Sequence, residues 1–120
     1  MKKLVPLFAL ACITFISCHN HGVSISYNDA DNYYSMNAYF SKSKMRDVEH
    51  YMDRMIGRRS NMTFVNARID GTLGLEDNTT IYSKKYPGHI KIELDKNENS
   101  HEGYERIRSM CEGMKEVLTR

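Results

Sequence analysis

The chain has 120 residues and a formal net charge of +2, but Lys2 and Lys3 are its only charges before Cys18, and beyond that point 15 basic residues face 15 acidic ones. That balance removes the electrostatic case for a nucleic-acid partner. The length fits one small domain, large enough to bury a core without disulfides.

The two lysines and the apolar run 4–16 form the charged and apolar regions of a secretory signal. At 13 residues the run falls short of the roughly 20 that a helix needs to cross a bilayer. It therefore reads as a leader and not as an anchor. Phe15-Ile16-Ser17-Cys18 closes the run with a small residue and then a cysteine. This arrangement resembles the lipobox of bacterial lipoproteins, although Phe15 stands where that motif usually has Leu. The resemblance implies a cut before Cys18, lipid on its thiol, and a membrane-anchored protein of the cell envelope. An ordinary cleaved signal is the competing reading, and Cys18 directly after Ser17 is what separates the two. The expected organisation is then a signal peptide over 1–17, a lipidated cysteine and tether over 18–22, and one domain over 23–120. His19, Asn20 and His21 follow the cysteine without the acidic run that marks surface export in Bacteroidota lipoproteins, which favours a periplasm-facing location.

Val23, Ile25 and Tyr27 alternate with polar residues as a half-buried strand requires, and Tyr34, Met36, Ala38 and Phe40 do so again after the turn cluster 28–32. The pair reads as a hairpin. Ser41 or Ser43 can cap a helix running to about Met55, with Met45, Val48, Met52 and Met55 or Ile56 forming an apolar stripe and Gly57 a stop. Its spacing is what packing demands, so the methionines read as core. After the basic loop 58–61, Ile69, Gly71, Leu73 and Leu75 share one strand face. Thr80 to Tyr86 and Ile90 to Leu94 supply two more strands, separated by turns at Asp77-Asn78 and Pro87-Gly88.

Asn99 or Ser100 caps the last helix, and Asn99 has capping-box spacing to Glu102. Tyr104, Ile107, Cys111, Met114 and Leu118 make its inner face, so Cys111 reads as a buried thiol. With Cys12 in the leader and Cys18 acylated, it has no disulfide partner. Glu98-Asn99-Ser100, Tyr104-Glu105-Arg106-Ile107 and 110–116, together with Thr79-Thr80-Ile81-Tyr82 and the Pro87-Gly88 turn, resemble the C-terminal region of small uncharacterised Bacteroidota lipoproteins. That resemblance covers about the last fifty residues. It implies an envelope lipoprotein and carries no catalytic residue with it.

The order ββαβββα fits an α+β, two-layer domain: a mostly antiparallel five-stranded sheet with two helices on one face. No catalytic, cofactor or metal motif emerges. His19 and His21 supply too few ligands for a metal centre, and the 28–32 cluster lacks the bidentate Glu of an EF-hand loop. Neither His50 nor His89 has a sequence-adjacent carboxylate and nucleophile in an identifiable triad. The basic residues Lys42, Lys44, Arg46, Arg54, Arg58 and Arg59 surround the first helix, where anionic headgroups or an acidic partner would meet them, but such charges usually form a solvated helix face and Asp47, Glu49 and Asp53 sit among them to soften the field. Tyr27, Tyr33, Tyr34, Tyr39, Tyr82 and Tyr86 fall on the strands, and those facing away from the helices would give the sheet an aromatic surface suited to an envelope protein or glycan. Binding is the expected use. The alternative is a small envelope enzyme assembled from distant residues, which a cleft joining His50 or His89 to a buried carboxylate would favour.

Overall fold

Period-two alternation puts Ile25, Tyr34, Met36, Ala38, Ile81, Ile90, Ile92 and Leu94 on one side of their strands, and all eight are buried. The computed structural model describes residues 13–17, 22–57, 68–75 and 77–120. In chain order the elements are β1 (Ile13–Ser17), β2 (Ser24–Asp29), β3 (Tyr33–Tyr39), α1 (Met45–Met52), β4 (Ile69–Gly74), β5 (Thr80–Tyr86), β6 (His89–Asp95) and α2 (His101–Thr119). From β2 onward this is the expected α+β order, with five antiparallel strands backed by two helices.

The spatial strand order is β1-β2-β3-β6-β5-β4. The chain leaves β3 through α1, crosses to the far edge, and meanders back until β6 pairs with β3. One cross-strand row matters below: Ser17 pairs with Ser24, Ser24 with Tyr39, Tyr39 with His89, and His89 with Tyr86. Strand β1 was not expected, because it lies in the stretch read as the end of the leader. In the full-length chain it widens the sheet to six strands, with Ile13 opposite Asn28 and Ser17 opposite Ser24. Cys18, His19, His21 and the basic loop 58–61 lie outside the described residues.

Both helix starts refine the sequence expectation. Ser41, not Ser43, is the first cap: its Oγ accepts from the Ser43 N–H and opens a short 3₁₀ turn, Lys42–Lys44, that feeds α1. Past Met52 the helix widens into a π turn, Asp53–Gly57, and Ile56 rather than Met55 completes the buried stripe. Ser100 caps α2 by accepting from the Gly103 N–H at 3.0 Å. Asn99 does something else: its side-chain amide copies a backbone pairing, accepting from Thr80 N–H at 2.7 Å and donating to Thr80 O at 3.0 Å, which ties the start of β5 to the entry of α2. Asp29 is likewise occupied, accepting from Lys96 Nζ at 2.7 Å and Tyr104 Oη at 2.6 Å. Partial burial opposes ionisation there, but these two hydrogen bonds outweigh it and hold the carboxyl below its ordinary range.

Three tyrosines converge on one turn of α2. Tyr27 donates to Cys111 O at 3.2 Å and Tyr51 to Met110 O at 2.7 Å. The Tyr34 hydroxyl is buried against the Cys111 thiol, a weak partner that it meets without a well-aligned hydrogen bond. Gly113 makes the Tyr51 approach feasible, since a Cβ there would fall on the tyrosine hydroxyl. Cys111 is the buried thiol that the helical spacing predicts, and burial pushes its pKa well above the ordinary value.

Candidate functional site

Side chains that alternate with the core residues form the outer face of the sheet. They include Ser26 and Asn28 on β2, Tyr33, Ser35, Asn37 and Tyr39 on β3, Lys91 and Glu93 on β6, and Tyr82, Lys84 and Tyr86 on β5. Both described helices pack on the other face. Of the six strand tyrosines, Tyr27 and Tyr34 point toward the helices, whereas Tyr33, Tyr39, Tyr82 and Tyr86 point outward.

The pairing of β3, β6 and β5 builds a three-ring stack on this face. His89 lies between Tyr39, at a centroid distance of 4.4 Å, and Tyr86, at 4.8 Å, with both rings tilted by less than 40°. Tyr39 is 50% exposed and Tyr86 37%, while His89 is buried at 5%. The histidine is thus the filling and the tyrosines the presented surface. His89 Nε2 lies 2.7 Å from Asn37 Oδ1; with an oxygen as acceptor, Nε2 carries the proton. Nδ1 is buried without a partner. Burial first, and then the nearby Lys84 and Lys91, lower the pKa of the ring. The imidazole is therefore neutral at physiological pH, a rigid hydrogen-bonded spacer.

Two shallow depressions flank the ridge made by Tyr33 and Glu93. One, of about 240 Å³, includes Ser26, Asn28, Ser35, Asn37 and Lys91; the other, of about 220 Å³, includes Thr72, Thr80, Tyr82, Asp95 and Glu98. Both are lined by hydroxyls, amides and charges. Such a face offers flat rings beside many donors and acceptors, which is the composition of an adaptable recognition surface.

The remaining sequence candidates are placed as follows. His50 is exposed on α1, and neither it nor His89 contacts a carboxylate among the described residues. The buried carboxylate among the described residues, Glu49, belongs instead to Lys85, at 2.7 Å. Of the basic cluster, Lys44 turns to the C-terminal Arg120 O and Arg54 lies over the Tyr51 ring, so these two leave it. Among the described residues no group of three or more His, Cys, Asp or Glu side chains could hold a metal ion, and no helix is long and apolar enough to cross a membrane. Comparison with protein-family models, curated proteins and solved structures finds no match to this chain. The functional reading rests on geometry and sequence alone.

The sequence anticipated the aromatic outer face but not the His89 stack, which depends on the register between three strands. It also missed the Lys85–Glu49 pair. The available signal was a lysine in the apolar phase of β5, with Ile81 and Ser83, and a glutamate in the stripe Met45, Glu49, Met52, Ile56.

Proposed function

We propose that this chain is a lipid-anchored binding protein of the bacterial cell envelope, held at the membrane through Cys18 and engaging a protein or glycan through the outer face of its sheet. The observation that carries the reading is the Tyr39–His89–Tyr86 stack: two large rings stand exposed at one end of the outer face, positioned by cross-strand pairing. Exposed tyrosines of restricted mobility supply contact area at little entropic cost to a partner. The lipobox resemblance and the leader supply the address.

The test is site-specific photocrosslinking in membranes with the native anchor. A crosslinker at Tyr39 or Tyr86 should capture one stoichiometric neighbour, or envelope glycan, that a crosslinker at Lys115 on the helix side does not. Equal capture from both faces, or none from the sheet, would refute the outer face as the binding surface.

A further inference from the structure

A second feature lies at the same end of the sheet, separate from the outer face. Lys42 and Arg46 at the start of α1, Arg68 at the entry to β4, and Lys85 near the end of β5 line a cleft of about 500 Å³ beside Tyr86. Glu49 is the only carboxylate among the described residues of that lining, and Lys85 neutralises it in a buried pair whose side chains are 3% and 9% exposed. Asp47 and Asp53 share the helix but do not line the cleft. Lys42, Arg46 and Arg68 therefore bring three positive charges to one concavity with no counter-ion among the described residues. Gathering like charges is unfavourable unless something anionic completes the set, and a cleft concentrates their field.

We propose that this cleft binds a phosphate group carried on a polyol or sugar. Two guanidinium groups and an ammonium are opposite in sign to a phosphate and supply donors for its oxygens, and arginine adds the planar fork that engages those oxygens in pairs. The volume exceeds what a bare ion fills and falls within the small-ligand range of about 300–1,000 Å³, so the phosphate bears a substituent. The floor suits hydroxyls: the Lys85 ammonium has three N–H donors and Glu49 takes one of them. The row from Ser24 through Tyr39 and His89 to Tyr86 puts the start of β2, six residues after Cys18, at the end of the sheet that holds the cleft. On the lipid-anchor reading, which this one point rests on, phospholipid headgroups are the nearest source of such a group. A soluble phosphorylated compound offers the same chemistry.

The test follows backbone and arginine side-chain resonances of the full-length chain by NMR, at constant ionic strength. Inorganic phosphate and glycerol 3-phosphate are titrated with the chain in neutral detergent; separately, the acylated chain is placed in nanodiscs of phosphatidylcholine with or without phosphatidylglycerol. Saturable shifts confined to residues 42–46, 68 and 85–87 are expected. The Arg46→Ala/Arg68→Ala variant should weaken binding at least ~tenfold, since each lost charged hydrogen bond contributes about 1.5–3 kcal/mol, and unchanged β2–β3 resonances show that it still folds. The same shifts on adding phosphatidylglycerol assign the headgroup as the source, and shifts with glycerol 3-phosphate alone assign a soluble compound. No saturable shift with any probe, or equal binding by the variant, overturns the proposal. An unacylated N-terminus would overturn the anchor reading while leaving the phosphate titration unaffected.

Discussion

Gly113→Ala is a sensitive probe of how α2 seats on α1. In the interior of an unencumbered helix this change stabilises by about 1 kcal/mol, because alanine loses less backbone freedom on folding. Here the new Cβ falls on the Tyr51 hydroxyl and stands 3.3 Å from the ring Cζ. That hydroxyl is fixed by its 2.7 Å bond to Met110 O, so the ring must swing aside, giving up a hydrogen bond of about 1 kcal/mol and adding about 1–3 kcal/mol of overpacking. The balance is a net loss of about 1–3 kcal/mol. Tyr51→Phe removes the clashing oxygen, and the 3.3 Å contact that remains is relieved by a few tenths of an ångström of movement. In that background Gly113→Ala should be neutral, or stabilising by up to about 1 kcal/mol from propensity alone. A double-mutant cycle in urea should therefore give an interaction of about 2 kcal/mol between the two sites. Equal effects of Gly113→Ala in both backgrounds, or stabilisation of the parent chain, would refute this account of the helix contact.

Three other outcomes are expected. Tyr34→Phe should change stability by less than about 1 kcal/mol, because the buried hydroxyl has only the weakly bonding Cys111 thiol beside it, whereas Tyr27→Phe should lose about 1 kcal/mol with its bond to Cys111 O; denaturant melts giving the reverse order would contradict this. His89 has a lowered folded pKa, so just below its unfolded value of about 6.5 the unfolded chain binds more protons than the folded one. Stability should fall as pH drops from about 7 toward 5, and His89→Gln should flatten that part of the melting-temperature profile. Mass spectrometry of the membrane fraction should find a mature N-terminus at Cys18 with acyl mass added; an unmodified N-terminus downstream of Cys18 in the soluble fraction would make this a freely secreted domain.

Much of the fold was legible because its information is local. Alternation in Ile25, Tyr34, Met36, Ala38, Ile90, Ile92 and Leu94 fixed which side of each strand is buried, and the 3–4 spacing of Ile107, Cys111, Met114 and Leu118 fixed the phase of the last helix. What was not legible depended on encounters between distant segments. Asn99 has good capping spacing, but the unpaired amide and carbonyl of Thr80 are a better match for its side chain, which leaves Ser100 to cap. Lys85 and Glu49 each break a local apolar pattern, and only their meeting 36 residues apart makes either burial tolerable. The outer face was foreseeable as aromatic, since tyrosine parity on β3 and β5 follows from the core residues. The His89 stack needed the register of three strands at once.

If residues 1–17 are a leader, strand β1 gives that segment a second role while it remains attached. It covers the outer edge of β2, from Ser24 to Asp29, through five residue pairs. If the chain is cut before Cys18, those pairs are lost and β2 presents a row of unpaired N–H and C=O groups, a template for any extended segment that reaches it. Until such a cut, β1 is a tethered competitor for that edge, present at the high local concentration that a short connection imposes. On the lipid-anchor reading, the β2 edge would be sealed against other strands while 1–17 is attached and open beside the anchor once that segment is cut.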